Sequence, residues 1–484
     1  MRPAPVAAIA ALFAALLPLA AESPSSNRIE RRLHKALEDS EQRAASGIAE
    51  DLEAALRPGS TIAKIRKAVR FDTCREDIFF LAGDELEGRD TGSEGHRKAG
   101  AWAAERFANA GLKPVGDNDT YFQAWTFGKK PNAKPTLNVV AYLEGETDEV
   151  VVVGAHLDHV GKGQPGGWTG RIPHPLAGSD AVFNGADDNA SGSAAVVEMG
   201  CALGKIKAKP KRGILFILFS GEEKGLIGSR WYVDHPIFPL KKTVAMINFD
   251  MVGRNADHEM ELLGCDGSPE LAAAAKAVNG QFKMNLKIPA RSTGIFMQSD
   301  QYSFHPKGVP SLFFTSGMHT EYHTALDHPD LINIGKIEEI AELGAALALD
   351  VANLEERPTW VKIDLGPRLG VQPSEPGAKK RTELGLQDTE GAITLTSVTP
   401  NFAAARSGLK AGDVIVAIDG KPFPRKNAME AFRTRIYEAE KQVFTVIRGG
   451  KRIEVNVEYA APPKKVEPKK EGDEKQPEEN KAPK

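Results

Sequence analysis

The chain is predicted to be an α/β protein: a mixed, mostly parallel sheet with helices on both faces, followed by a small β-rich domain. Three observations predict this. The apolar runs Val150–Val153, Ile214–Phe219, Val244–Phe249 and Val309–Phe314 are continuous rather than alternating, the pattern of strands covered on both sides. Helix-prone stretches separate them, and such alternation puts helices on both faces of a sheet. Past about Ile363 the pattern changes to short strands, and 484 residues are too many for one ordinary core.

Taken in order, residues 1–21 read as a secretory signal peptide. Arg2 precedes the apolar stretch Val6–Leu19, and small Ala20-Ala21 precede polar Glu22-Ser23. The stretch is shorter than the ~20 residues a membrane span needs, so the expected mature protein is soluble and secreted or periplasmic, with no stable membrane insertion. Residues 22–70 form a charged helical segment, with Leu33, Ala36 and Leu37, then Leu52, Ala55 and Leu56, at helical spacing. The main domain spans 71–355 and opens with a loop and a helix from about Gly95 to Ala110. Strands at Asn138–Leu143 and Val150–Val153 follow, and a helix is expected over Lys224–Val233. Residues 356–362, with Pro358, read as a linker. The β-rich domain, 363–459, has strands at Gly391–Val398, Val414–Ile418, Val443–Arg448 and Arg452–Tyr459, a turn of helix at Ala403–Gly408 and a helix near Ala428–Glu440. The remaining 460–484, nearly all Lys, Glu, Pro and small or polar residues, cannot bury enough apolar surface to offset its ordering entropy and reads as disordered.

Composition narrows the function classes. A net charge of −3, with no basic stretch interleaved with aromatics, argues against nucleic-acid binding. Cys74, Cys201 and Cys265 have no metal-like spacing and read as buried thiols, although a disulfide between two of them is left open.

Chemistry concentrates where strands end. His156 and Asp158 follow the first run, Glu222-Glu223 the second and Asp250 the third, while the fourth leads to His319, Tyr322 and His323. Asp187-Asp188 lie in a turn between Gly185 and Gly192. Ligands of open α/β sheets bind beyond the carboxyl ends of strands. An isolated Glu-Glu pair is ordinarily a solvated helix start, a lone His a structural one and an Asp before a helix a cap. Their convergence from separate segments points instead to shared metal. Asp158 is spaced to orient His156, and His323, with Asp327 four residues on, is preferred over His319 and His328. Mixed His and carboxylate ligands without thiolates suit zinc, with cobalt or manganese as substitutes. Five ligands exceed one tetrahedral site but suit two ions about 3.5–4 Å apart.

The motifs ELEGRDTGS, GAHLDHV, NGADDNASGSAA, FSGEEKGLIGS, NFDMVGR, SDQYSFHPKGVPSLFF and EYHTALD together resemble the secreted co-catalytic zinc aminopeptidases, over about Leu81 to Asn353. The resemblance implies a zinc exopeptidase fold with two zinc ions. It implies His156 and Asp250 on one zinc, Glu223 and His323 on the other, and Asp187 bridging, with a cis Asp187–Asp188 peptide. Glu222 would be the general base for a hydroxide shared by the two ions, Asp158 would orient His156, and Tyr322 would stabilise the oxyanion. The implied activity is release of N-terminal residues from peptides with a free N-terminus. A related carboxypeptidase or dipeptidase shares these motifs, and a non-catalytic binding protein is the alternative of another class.

Residues 363–459 resemble a PDZ domain of the bacterial protease type, on the string VTPNFAAARSGLKAGDVIVAIDGKPF. The expected partner is a C-terminal peptide added to an open sheet edge, its carboxylate captured by backbone amides. The capturing loop is Arg368-Leu369-Gly370-Val371 or, alternatively, Leu384-Gly385-Leu386.

Overall fold

Strand β4, Val150–His156, lies at the centre of a nine-stranded sheet and is buried along its whole length. It pairs in parallel with β5, Gly213–Phe219, on one side and with β6, Thr243–Phe249, on the other. β9, Ser311–Thr315, extends the parallel block beyond β6. The flanks are partly antiparallel. β3, Lys134–Leu143, runs against β5 and carries β1, Lys113–Pro114, and β2, Phe122–Phe127, while β7, Glu259–Leu263, runs against β9 and carries β8, Asn285–Lys287. The computed structural model describes residues 60–128, 131, 133–163, 180–292, 294–364, 369–425, 428–436 and 441–459. The signal-peptide reading, the N-terminal segment up to residue 59 and the tail 460–484 fall outside the described residues.

Alternate side chains of each buried strand reach opposite layers, as strand geometry requires. Val151, Val153, Ile214, Phe216, Ala245 and Ile247 join the larger core beneath helices α1 (Thr61–Ala68), α2 (Phe71–Leu81), α3 (Glu94–Asn109), α4 (Gly192–Lys205), α6 (Pro269–Phe282) and α7 (Ile334–Asn353). Val150, Val152, Leu215, Ile217 and Met246 face Tyr232 and Val233 of α5 (Ile227–Asp234). Helices therefore cover both faces. Side chains cap four of them: Ser60 accepts from Ala63 N, Ser93 from His96 N, Ser268 from Leu271 N and Asn333 from Lys336 N, each satisfying an orphan amide of the first turn. Helix α5 starts three residues later than expected. Gly225 and Leu226 have φ of 100° and 59°, so the chain turns left-handed before the helix can begin.

The β-rich domain has its own core around Ile393, Leu395, Ile415, Phe423, Phe432 and Phe444. Its order is β10 (Val371–Ser374), β12 (Ile393–Val398), β13 (Val414–Ile418), β14 (Lys421–Pro424) and β11 (Glu390–Gly391). β15 (Lys441–Arg448) pairs with β13 and with β16 (Lys451–Glu458). The expected helix near residue 428 is α8, Ala428–Arg435; residues 437–440 fall outside the described residues. The segment expected to be a linker is held to the first domain. Trp360 Nε1 donates to His305 O at 2.9 Å, Ile363 N donates to His305 Nε2 at 3.1 Å, and Ile363 packs with Leu263, Phe296 and Phe313. Cys74 and Cys201 are buried free thiols and Cys265 is a half-buried one. Among the described residues no helix is long and apolar enough to cross a membrane.

Candidate metal centre

Three strand ends and two loops bring the chemistry together at the carboxyl edge of the parallel block. β4 ends in His156, which is 1% exposed. His156 Nε2 lies 3.2 Å from Asp188 Oδ1 and 3.3 Å from Asp250 Oδ1, and Asp250 follows β6 directly. A second group is formed by Asp188, Glu223, His323 and His159. His323 Nε2 is 2.9 Å from Asp188 Oδ2 and 3.1 Å from Glu223 Oε2. His159 Nδ1 is 2.9 Å from Glu223 Oε1. Within each group one ligand atom per residue lies within 4.8 Å of all the others. Asp188 belongs to both.

Asp187, expected as the shared ligand, belongs to neither. Its Oδ1 accepts from Gly253 N at 2.6 Å and its Oδ2 faces His319 Nε2 at 3.4 Å. The reason is the local backbone. The Asp327 carboxylate accepts from the amides of Asp187 and Asp188 at 3.0 and 3.2 Å. That grip fixes the turn so that successive side chains leave in different directions. The cis peptide falls at Asp188–Asn189, one bond later than the resemblance implied. Asn189 then ties the turn to the sheet: its Nδ2 donates to Phe249 O at 2.9 Å and its Oδ1 accepts from Gly192 N at 2.8 Å. Ser193 Oγ, one turn on, donates to the carbonyl of His156 at 2.7 Å.

Asp158 meets His156 through its main chain rather than its carboxylate. His156 Nδ1 is 3.0 Å from the Asp158 carbonyl oxygen, whereas the carboxylate is 3.8 Å away. The Asp158 carboxylate instead accepts from Thr91 Oγ1 at 2.7 Å and from the Glu222 amide at 3.2 Å. It positions the Glu222 backbone. His319 pairs with Glu321 at 3.2 Å and His328 with Asp180 at 3.2 Å, so neither enters the metal groups. Tyr322 stacks on the His323 ring, with centroids 3.9 Å apart and planes at 18°.

Electrostatics favour cations here. Burial pushes Glu222 well above the carboxylate range, and the neighbouring charges of Glu223 and Asp250 add to it. Burial acts upward on Glu223 too, but the His323 charge and the contacts of His159 and His323 hold it down at about 2. For His156 burial is outweighed by the charges of Asp250 and Glu222, which lift its pKa well above the ordinary 6.5. These carboxylates thus draw positive charge onto the imidazoles, and a divalent cation meets that demand directly. Asp188 Oδ2 and both nitrogens of His159 have no hydrogen-bond partner despite these close approaches. Imidazole nitrogens and carboxylate oxygens without thiolates are a zinc-type donor set. The residues fit the metal.

Three residues placed here by the structure were not singled out by sequence reasoning: His159 and Asp188 as members of the groups, and Arg89 beside them. Arg89 is 1% exposed and donates to the carbonyls of Leu81, Leu157, Asn184 and Gly185, tying the exit of β4 to the turn that carries Asp188. For His159, a second histidine three residues beyond the first was the available signal.

Residues 138–348 match peptidase family M28, and residues 367–459 match the PDZ domain. The first match lies in the α/β domain and the second in the β-rich domain. An aminopeptidase of Pseudomonas aeruginosa strain UCBPP-PA14 is 33% identical over 182 residues, 36% of this chain and 30% of that protein. Aminopeptidase YwaD of Bacillus subtilis is 29% identical over 189 residues, 37% of this chain and 40% of that protein. The chain therefore spans well under half the length of these two relatives. The crystal structure of the Legionella pneumophila LapA aminopeptidase superposes with a TM-score of 0.49 at 21% identity, covering 61% of this chain and 75% of that one.

Proposed function

We propose that the chain is a zinc-dependent aminopeptidase with two metal ions, releasing N-terminal residues from peptides. The observation that carries this reading is the pair of ligand groups sharing Asp188, one buried and one partly buried, with Glu222 next in sequence to Glu223 and electrostatically coupled to both. We assign His156 and Asp250 to one ion, Glu223 and His323 to the other, and Asp188 in place of Asp187 to both. Bound zinc would polarise the scissile carbonyl and bring the pKa of water from 15.7 to about 7; cobalt or manganese would substitute. Glu222 accepts the proton of the attacking water and returns it to the leaving amine, and burial raises its basicity. The Asp158 carboxylate holds the Glu222 amide, and so the base, in place. Tyr322 donates to the developing oxyanion. The free amine of the substrate is drawn to the surrounding carboxylates, which sets the preference for an unblocked N-terminus.

The PDZ domain is assigned a C-terminal peptide. β10 is an edge strand, paired only with β12 among the described strands, and α8 approaches it through Met429 N, which donates to Glu375 Oε1 at 3.2 Å. Leu369–Val371 lead into that edge, whereas Leu384–Leu386 follow the short helix Ala378–Glu383. This favours the first of the two loops for the carboxylate, with Arg368 outside the described residues. Export, and hence a secreted or periplasmic location, rests on the first 21 residues.

The test is metal content by elemental analysis beside hydrolysis of leucine p-nitroanilide. About two zinc ions per chain, with activity lost to a chelator and restored by zinc, is the expected result. Cleavage of N-terminally blocked peptides but not of their free-amine counterparts would move the assignment to a carboxypeptidase. No bound metal and no activity after zinc addition would refute the reading.

A further inference from the structure

We infer that the two metal positions are unequal: His159 makes the second a closed four-ligand site that holds its ion tightly, while the first keeps three protein ligands and an open position for substrate. This rests on the two-metal reading above and goes beyond it in assigning His159 and in ranking the sites. His159 is fully buried, and neither ring nitrogen has a hydrogen-bond partner. Buried polar atoms in that state are costly unless something binds them.

The Nδ1 atom faces the second group, 2.9 Å from Glu223 Oε1 and 3.7 Å from Asp188 Oδ2. The shorter approach is an ionic contact with the Glu223 carboxylate that falls short of hydrogen-bond geometry, a placement that also suits two ligands of one ion. Ligand atoms around one tetrahedral ion with bonds of about 2.0–2.1 Å stand roughly 3.3 Å apart without pointing at each other. The separations here, 2.9 and 3.7 Å for His159 and 2.9 and 3.1 Å for His323, bracket that value.

The ring is also built into its place. Gly185 has φ of +57°, and a Cβ there would come within 2.4 Å of His159 Cγ, so only glycine leaves room for the imidazole. The His159 amide donates to Arg89 O at 3.2 Å, and Arg89 itself is pinned by the carbonyls it binds. With His159 the second group offers four protein ligands, the closed set of a structural zinc. The first offers His156, Asp188 and Asp250, the three-ligand set that leaves a coordination position free.

The experiment follows zinc release from the full chain against graded chelator, for the wild type and for His159→Asn and Asp250→Asn. The wild type should release its two ions in separate stages about 100-fold or more apart in affinity. Asp250→Asn should lose the loose stage and keep the tight one. His159→Asn should weaken the tight stage by about 10²–10³-fold, the share of one ligand in four. Extended X-ray absorption on the wild type needs no variant and reads about three imidazoles over two zinc ions, against two if His159 is not a ligand. A count of two imidazoles, or a tight stage that survives His159→Asn, overturns the inference while leaving the two-metal reading intact. A wild type that retains no zinc defeats that reading and this one together.

Discussion

Replacing Asp188 and Asp187 by asparagine in turn separates two adjacent carboxylates that the sequence does not distinguish. Asp188 Oδ1 lies 3.2 Å from His156 Nε2 and its Oδ2 lies 2.9 Å from His323 Nε2, so each oxygen serves a different ligand group. Asparagine keeps the shape but removes the charge and one acceptor. A structural zinc with four protein ligands binds with about 10–16 kcal/mol, or roughly 2.5–4 kcal/mol per ligand. Asp188→Asn takes one ligand from each group, and a loss of that size is about 10²–10³-fold in each zinc affinity. Asp187 has other work: its Oδ1 holds Gly253 N at 2.6 Å and its Oδ2 faces His319. Weakening that buried acceptor should cost about 1–3 kcal/mol of stability and leave the metal in place. The assay is elemental analysis after dialysis against a moderate chelator, paired with thermal denaturation. We expect Asp188→Asn to lose both ions, and Asp187→Asn to keep them while melting lower. Zinc lost from Asp187→Asn and kept by Asp188→Asn would refute the assignment.

Glu222→Gln should lower kcat by about 10²–10⁴-fold with zinc content unchanged; metal lost along with activity would make Glu222 a ligand instead of the base. Arg89→Met leaves the carbonyls of Leu81, Leu157, Asn184 and Gly185 without their buried donor. It should cost about 3–5 kcal/mol in equilibrium denaturation, and a loss below about 1 kcal/mol would show that solvent replaces the guanidinium. Burial, reinforced by the charges of Glu338 and Glu339, lifts the Glu342 carboxyl from 4.5 to about 7, with Arg66 opposing. The folded state therefore favours the protonated acid, so its stabilising effect is complete below pH 4.5 and is lost as pH rises to about 7. Glu342→Gln abolishes that loss, so the variant should gain on the wild type between those values, by at most about 3 kcal/mol at roughly 1.4 kcal/mol per pH unit. A stability difference that does not vary with pH would contradict this origin.

What could be read from the sequence was whatever depends on neighbours along the chain. β4, β5, β6 and β9 were legible because strands buried on both faces are continuously apolar, and His156, Glu222, Glu223 and Asp250 because they stand where those runs end. The choice between Asp187 and Asp188 was not legible. It is made by Asp327, 139 residues beyond Asp188, whose carboxylate grips both amides and turns the two side chains apart. Arg89 lies in a polar string, ELEGRDTGS, that reads as a loop, yet it is buried because its acceptors come from segments 8 to 96 residues away. His159 was hidden in the same way, since its room exists only because Gly185 packs against it.

These three cases share one cause. The carboxyl end of a parallel sheet collects acidic side chains from remote segments, and burial makes each of them costly. Balancing charge must then reach the same place from equally remote positions: a guanidinium fixed by carbonyls, imidazoles drawn toward protonation, and finally metal. Arg89 carries part of that balance, since the charges of Asp188, Asp327, Asp158 and Glu223 all act to keep it protonated against the effect of burial. The ligand groups and the structural arginine are therefore one electrostatic unit. A substitution at Arg89 should accordingly register in zinc affinity as well as in stability.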